Sequence, residues 1–501
     1  MDYSRFKSGS DIRGIAIGDE NQPLFMTDEM VKRSAAAFVD YLKSRENSKK
    51  LRVAVGHDSR LSAQRIKNDV IEVLLSYGID VDDCGLSSTP AMFMTTVKAG
   101  CDGAIQITAS HHPKDRNGLK FFTIKGGLDG NEIARILENA GNRNKYEGNE
   151  KGTLRACDFM SSYSALLRDI IIKGANAGDK PLSGLKIIVD AGNGVGGFYA
   201  NDVLKPLGAD ISGSLFLEPD GNFPNHAPNP ENAEAMQCIT EATKSENADF
   251  GIIFDTDVDR AACVGKGGFP INRNRLVALA SKIALSSAPG GTIVTDSVTS
   301  DGLAKFITAN GGKHLRFKRG YKNVINKQIE LCSSGTNCPL AMETSGHAAF
   351  SENYFLDDGA YLITKLLVET ASLAKQGKRL EDLIKDLEEP VEEKELRFKI
   401  KSEDFRRVGE ALIEFFAKSA PEIHDWKTAP DNNEGIRINS IENKGWFLLR
   451  LSVHDPIIVL NCESNTEGGC RGMCKKVLEV ARRTPVIESI DITELKNYTE
   501  D

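Results

Sequence analysis

Ser110 ends the apolar run AIQITAS and is followed by His111, His112 and, further on, Lys120. A second apolar run, FGIIF, ends in Asp255-Thr256-Asp257-Val258-Asp259-Arg260. Three carboxylates suit a hard divalent cation, which takes oxygen ligands and keeps positions open for phosphate oxygens. In extended backbone, side chains at alternate positions leave from one face, so Asp255, Asp257 and Asp259 are expected to point together. Arg260 adds a planar fork of donors that matches phosphate. Phosphoryl transfer rests on positioning and charge neutralisation, so a serine nucleophile, a divalent cation such as Mg2+ and a few cationic side chains are sufficient for it. Plainer readings stay open: DTDVDR as a solvated acidic turn, and TASHHP as a capped strand end. An EF-hand fits poorly, because no Gly and no distant Glu fall at its spacing and the flanks read as strand.

These loops need a scaffold, and the chain repeats one theme. An apolar strand ends in Asp plus small residues and a helix follows, at LRVAVGHDSR, LKIIVDAGNG and GGTIVTDSVTS. Between them run second strands that carry the chemistry: GAIQITAS, FGIIFDTD and PLAMETSG. The expected fold is α/β, with three related mixed α/β domains, each placing a loop at a strand's carboxyl end, the usual ligand side of such sheets. Boundaries are expected to divide the chain into 1–160, 161–268, 269–388 and 389–501. In the last segment the periodicity changes. It predicts a helix near 403–418 and a small antiparallel sheet from GIRINSIENKGWFLLRLS and PIIVLNCE, hence a smaller α+β domain. A long helix is expected near 357–376, opened by acidic residues that suit a helix amino terminus.

Composition bounds the function classes. The 501 residues are too many for one ordinary core. A net charge of −8 with no dense basic patch argues against a nucleic-acid partner. No stretch approaches the roughly 18 apolar residues of a membrane span. The start MDYSRFKSGSDIRG has no apolar signal region, which fits the cytoplasm, or a plastid if a transit peptide has been trimmed. Ten scattered cysteines fit a reducing compartment. Cys470 and Cys474 are read as helix packing, and the Asn497-Tyr498-Thr499 sequon as inert.

The two chemical motifs, in this order, resemble those of the α-D-phosphohexomutase superfamily, phosphoglucomutase/phosphomannomutase branch. Further segments across the chain carry the resemblance. Ser10-Asp11-Ile12-Arg13-Gly14 is similar to the amino-terminal signature. Gly56-His57-Asp58-Ser59-Arg60 is similar to the GRDSR loop, with His57 in place of an Arg. Asn117-Gly118-Leu119-Lys120 completes the phosphoserine loop, in which Asn is more usual than His112. Pro219 to His226 is close to a family connector. Gly320-Tyr321-Lys322-Asn323 and Glu343-Thr344-Ser345-Gly346-His347 resemble the lysine and sugar-binding loops, and Asp357-Asp358-Gly359 opens a helix as in that family.

The resemblance implies a mutase that moves phosphate between the 1- and 6-positions of a hexose phosphate, with Ser110 phosphorylated and binding Mg2+ together with Asp255, Asp257 and Asp259. A hexose 1,6-bisphosphate would be the intermediate, and glucose 1,6-bisphosphate an activator. Arg450 and Ser452 would grip phosphate, with Arg260 and Lys322 as further cations, and Glu343 and Ser345 would read sugar hydroxyls. His347 and Arg13 are candidates to help the attacking hydroxyl lose its proton; Lys120 is the candidate to stabilise or protonate the serine oxygen, beside His111. Glu343-x-Ser345 is similar to the loop of enzymes that accept both glucose and mannose. Movement of the fourth domain about the charged segment near 387–395 is expected. The sequence departs at Arg450-Leu451-Ser452-Val453-His454-Asp455-Pro456, where the family has R-x-S-N-T-E-P. This motivates two alternatives: a hexose 1,6-bisphosphate synthase using the same serine, and a catalytically weak sugar-phosphate sensor. Ser464-Asn465-Thr466-Glu467 follows the wrong strand and is read as a coincidence. Gly192-Asn193-Gly194-Val195-Gly196-Gly197 satisfies the dinucleotide fingerprint, but a tight structural turn is the preferred reading.

Overall fold

The computed structural model describes residues 1–20, 22–45, 50–452 and 455–500. The chain packs as two compact units. The first comprises Met1–Ile283 and Ser345–Ile384, and the second Ala284–Thr344 and Lys385–Asp501.

The first unit contains two sheets. In the amino-terminal sheet, the strand Arg52–His57 pairs in parallel with Asp80–Leu86 and Gly103–Ile107, and Gly103–Ile107 pairs antiparallel with Arg116–Thr123. The register sets Gln106 opposite Lys120. These central strands are apolar and largely buried, as a sheet covered on both faces requires. Helices Asp28–Lys43, Ala63–Ser76 and Gly130–Asn142 are amphipathic and lay their apolar faces on one core with Phe38, Val53, Ile105 and Phe121. Asp129 and Glu132 form a reciprocal capping box at the start of the last.

In the second sheet, Phe250–Phe254 lies parallel to Ile187–Asp190 and antiparallel to Ala261–Gly265. Phe254 pairs with Ala261, so residues 255–260 form a hairpin loop between buried strands. The expected helix near 357–376 is Gly359–Ala374, with the Asp358 carboxylate capping the Tyr361 N–H.

In the second unit, Thr292–Asp296 pairs in parallel with Lys313–Phe317 and with Leu340–Met342. The carboxyl-terminal part is the expected α+β arrangement: Ile436–Ser440, Gly445–Leu451 and Ile457–Ser464 are antiparallel neighbours, and Glu392–Ile400 adds antiparallel to the last. Helices Phe405–Ser419 and Gly469–Ala481 cover one face, with Phe416, Phe447, Cys470 and Cys474 in the core. Cys470 and Cys474 therefore pack, as expected. Among the described residues no helix is long and apolar enough to cross a membrane.

Candidate active site

Ser110 follows the strand Gly103–Ile107 and holds φ of 50°, in the left-handed region. That conformation is costly for a residue with a Cβ and persists only when its surroundings impose it. Thr108 Oγ1 accepts the Ser110 N–H at 2.9 Å. Arg60, 2 % exposed, donates to the carbonyls of Pro113 and Arg116 at 2.7 and 2.8 Å, and also to those of Ser110 and His112. Its Nε lies 3.2 Å from the buried Asp58 carboxylate. One guanidinium thus clamps four carbonyls of the serine loop, the use that a planar five-donor fork allows. The GHDSR motif marked this arginine, but its clamping role was missed.

The aspartate loop meets the serine across the two sheets of this unit. Asp255 Oδ2 accepts from Ser110 Oγ at 2.9 Å, and an Arg260 amine donates to the same hydroxyl at 3.1 Å. Asp255, Asp257 and Asp259 bring their carboxylate oxygens within 4.8 Å of one another, all buried. The alternation argument does not explain this convergence. Residues 255–259 are not strand, and Val258, β-branched, takes φ of 66°. A strained turn gathers the carboxylates. The glycine-rich segment supports it: a Cβ on Gly194 would lie 2.6 Å from Thr256 O, and the Val195 N–H donates to that carbonyl at 2.8 Å. The N–H groups of Gly192, Asn193 and Gly194 are likewise bonded inside the protein, so these amides are spent on the turn and not offered to a pyrophosphate.

Charge compensation is partial. Lys120, 4 % exposed, contacts Asp257 Oδ2 at 3.1 Å and also Asp259 Oδ2. Thr89, opening the helix Thr89–Lys98, donates its hydroxyl to Asp257, and its N–H bonds the Asp257 carbonyl at 2.9 Å. Thr89 had no signal in the sequence. Burial, then repulsion from Asp259 and Asp257, pushes the Asp255 carboxyl well above its usual range. Burial opposes ionisation of Asp259 too, but Lys120, His347 and Arg260 outweigh it and hold this carboxyl low. Two cations face three carboxylates. Among the described residues Asp257 Oδ1 and Asp259 Oδ1 are buried without a hydrogen-bond partner. A hard divalent cation would satisfy both, so the oxygen donor set fits Mg2+.

Arg260 also donates to His111 Nδ1, which lies 3.3 Å from Ser110 Oγ. Arginine only donates, so Nδ1 is an acceptor and the ring is neutral; loss of hydration, then the Arg260 charge, pushes the His111 imidazole far down. The 345–347 loop lies against the aspartate hairpin. Gly346 holds φ of 95°, and a Cβ there would lie 2.4 Å from Ala261 O. His347 Nδ1 is 2.9 Å from Ser345 Oγ, and its Nε2 is 3.7 Å from Asp259 Oδ1 and 3.6 Å from Asp357 Oδ2. Arg13 pairs with Asp11 at 2.8 Å on the strand Asp11–Ile15, beside Arg116–Thr123. Ser110, His111, Lys120, Arg260, His347, Ser345 and the three aspartates are thus brought together in the first unit.

The remaining sequence-predicted residues belong to the second unit. Glu343 follows Leu340–Met342 and accepts the Gly320 N–H at 2.6 Å, tying it to the loop that opens the helix Tyr321–Ser333. Lys322 is half-buried in the first turn of that helix. Burial, with Arg319 opposing and Glu343 reinforcing, raises the Asp296 carboxyl to about 7. Arg450 is 6 % exposed, and its Nε has no hydrogen-bond partner among the described residues. Burial and Arg319 nearby lower its pKa. Ser452 Oγ accepts the Asp455 N–H at 3.3 Å. Val453 and His454, the departures in this loop, lie outside the described residues. Ser464 Oγ donates to Asn443 O at 2.6 Å, so the SNTE run serves an internal turn.

Known proteins resemble this arrangement over most of the chain. Models described as phosphoglucomutase/phosphomannomutase alpha/beta/alpha domains I, II and III match residues 5–147, 168–268 and 272–391. A phosphomannomutase/phosphoglucomutase of Pseudomonas syringae pv. tomato is 33 % identical over 418 residues, 83 % of each chain. A phosphoglucomutase/phosphomannomutase of Thermococcus kodakarensis is 32 % identical over 92 % of this chain and 94 % of its own. The crystal structure of a phosphoglucomutase/phosphomannomutase family protein from Burkholderia thailandensis covers 96 % of this chain and 98 % of its own, with a TM-score of 0.78 and 26 % identity. The serine loop, the aspartate hairpin and these matches agree: the chain belongs to the phosphoglucomutase/phosphomannomutase family, within the α-D-phosphohexomutase superfamily.

Proposed function

We propose that the protein is a phosphohexomutase that interconverts hexose 1-phosphate and hexose 6-phosphate, with glucose and mannose as substrates, through phosphorylated Ser110 and a hexose 1,6-bisphosphate. The observation that carries this reading is the Ser110 hydroxyl, 2.9 Å from Asp255 and 3.1 Å from Arg260, at the edge of three buried carboxylates.

In this reading the sugar hydroxyl oxygen attacks the phosphorus of phospho-Ser110 as the P–Oγ bond breaks. The electron pair stays on Ser110 Oγ, which takes a proton from Lys120. His347, held through Ser345 and near two carboxylates, accepts the hydroxyl proton, with Arg13 in support. Arg260 and the neutral His111 orient Ser110 Oγ and the oxygens it carries. Asp255, Asp257 and Asp259 would hold one Mg2+, which when bound supplies positive charge to the transferring phosphoryl group. To the second unit we assign recognition: Arg450 and Ser452 for the phosphate not being transferred, with Lys322 as a further cation, and Glu343 for sugar hydroxyls alongside Ser345. The second transfer returns the other phosphate to Ser110 and regenerates the resting form.

The altered SVHDP loop favours a second reading, a hexose 1,6-bisphosphate synthase that releases the intermediate. Turnover of glucose 1-phosphate with Mg2+, with and without glucose 1,6-bisphosphate, in the native chain and in Ser110→Ala, separates the two. Serine-dependent glucose 6-phosphate supports the mutase. Bisphosphate accumulating from a phosphorylated donor supports the synthase. No serine-dependent transfer with glucose or mannose phosphates overturns both.

A further inference from the structure

A second cluster of metal-ligating side chains lies at the carboxyl end of the strand Ile187–Asp190 in the first unit. Asp190, His226 and Cys238 bring one oxygen, one nitrogen and one sulfur within 4.8 Å of one another. Asp190 and His226 are buried, while Cys238, on the helix Ala233–Ser245, is half-buried. His226 Nε2 faces Asp190 Oδ2 at 2.8 Å. Its other nitrogen, Nδ1, lies 3.0 Å from the Ala227 carbonyl. The Ala227 carbonyl and the Asp190 carboxylate both only accept, so both ring nitrogens donate in this pair; a cation would take the place of the Nε2 proton while the Nδ1 N–H keeps its carbonyl. Asp190 Oδ1 is fixed by the Gly192 N–H at 2.9 Å. The Phe216 ring stands edge-on to the imidazole at 5.3 Å.

This is how supported ligands are held: a ligating histidine donates its distal N–H to a carbonyl, and a ligating carboxylate has its other oxygen bonded. A mixed oxygen, nitrogen and sulfur set discriminates against Mg2+ and suits a borderline cation. We propose that Asp190, His226 and Cys238 form a zinc-type site that binds one Zn2+ or similar cation, with a solvent oxygen in the fourth position. Binding releases two protons to solvent, one from the Cys238 thiol and one from His226 Nε2. The pair now at hydrogen-bond distance would part to about 3.4 Å around a tetrahedral ion.

The site would tie three elements together: the strand end, the helix 233–245 and the segment that follows His226. That segment carries Asn229, whose Oδ1 accepts from Arg260 at 3.3 Å, and Glu231, 3.7 Å from the same guanidinium. A bound ion would brace Arg260 from the side away from Ser110.

The test is Co2+ titration of the metal-stripped full-length chain in excess Mg2+, which occupies all-oxygen sites. The native chain is expected to take up one Co2+ with thiolate-to-cobalt charge-transfer absorption and tetrahedral visible bands, both removed by Zn2+. Cys238→Ser should lose the charge-transfer band while keeping the native far-ultraviolet dichroism, and His226→Asn should weaken binding at least about 10-fold. Zn2+ should raise the thermal midpoint of the native chain and leave that of Cys238→Ser unmoved. Absence of the band in the native chain would overturn the proposal and leave a plain Asp190–His226 ion pair. A band that survives in Cys238→Ser would overturn it too, by assigning the metal to another of the ten cysteines. Should His226→Asn fail to fold, Cys238→Ser still decides, because its side chain is half-exposed.

Discussion

The serine loop of the first unit and the strand around Arg450 in the second leave charge of opposite sign unmet. Around Ser110 the protein supplies most partners itself, yet Asp257 Oδ1 and Asp259 Oδ1 stay unbonded among the described residues. Arg60 spends its donors on four loop carbonyls, Arg260 bonds Asp255 and the serine, and Lys120 lies between two aspartates. At the strand Gly445–Leu451, by contrast, Arg450 is buried with its Nε unbonded among the described residues, and Arg319 adds to its electrostatic strain. The first region is preorganised by these bonds within the protein, as efficient transfer of charge requires. The second keeps a buried cation short of partners, a condition that an anionic ligand relieves. In this protein, then, unmet charge stands in both regions, negative on the carboxylates beside Ser110 and positive on Arg450.

The largest effects should come from breaking the preorganised side. Ser110→Ala should lower transfer by at least about 10^4-fold with an unchanged unfolding midpoint, because it removes the proposed nucleophile and little packing. Asp257→Asn, or chelation of divalent ions, should also abolish turnover. Mg2+ should rescue the chelated native chain but not the variant, and turnover near normal in the variant would remove the metal assignment.

Arg60→Ala tests whether the clamp is the source of the order. It leaves Asp58 buried without its cation and frees four carbonyls. Denaturant unfolding should show a loss of about 3–5 kcal/mol, and turnover should fall with it. Unchanged stability would mean that the serine loop holds its shape by other means.

On the recognition side, Arg450→Ala should raise KM for hexose phosphate about 10- to 100-fold while changing stability by less than about 1 kcal/mol. A stability loss as large as that of Arg60→Ala would erase the contrast between the two regions.

The last effect concerns a buried acid in the second unit. Glu463 accepts the Trp446 indole N–H at 2.9 Å, and burial raises its carboxyl to about 7, against the pull of Arg437. A carboxyl raised in the folded state favours folding fully below its unfolded value near 4.5, and that contribution is lost as pH rises towards 7. Glu463→Gln should therefore match the native chain near pH 4.5 and exceed its stability by roughly 1–3 kcal/mol above pH 7. Equal stability at both pH values would show that Arg437 keeps the acid ionised at no cost.

The sequence by itself determined the elements and the chemical inventory. Apolar runs ending in small and acidic residues dictate strands that stop where loops must begin, and the helix at Gly359 and the antiparallel carboxyl-terminal sheet follow from capping and alternation. Ser110, the three aspartates and Arg260 could be picked out as candidates because phosphoryl chemistry admits few residue types at such spacing, and the fold brings them together. Only the tertiary structure decided how the aspartates converge. Their alternation predicts an extended face, whereas a strained turn at Val258, closed on Gly194, gathers them. It also decided that Arg60 holds the serine loop, that Thr89 braces Asp257, and that Asp190, His226 and Cys238 meet. The reason is physical: local periodicity encodes which face a residue takes, but a hydrogen bond between residues 50 or 168 positions apart depends on how sheets and helices stack, which no local pattern records.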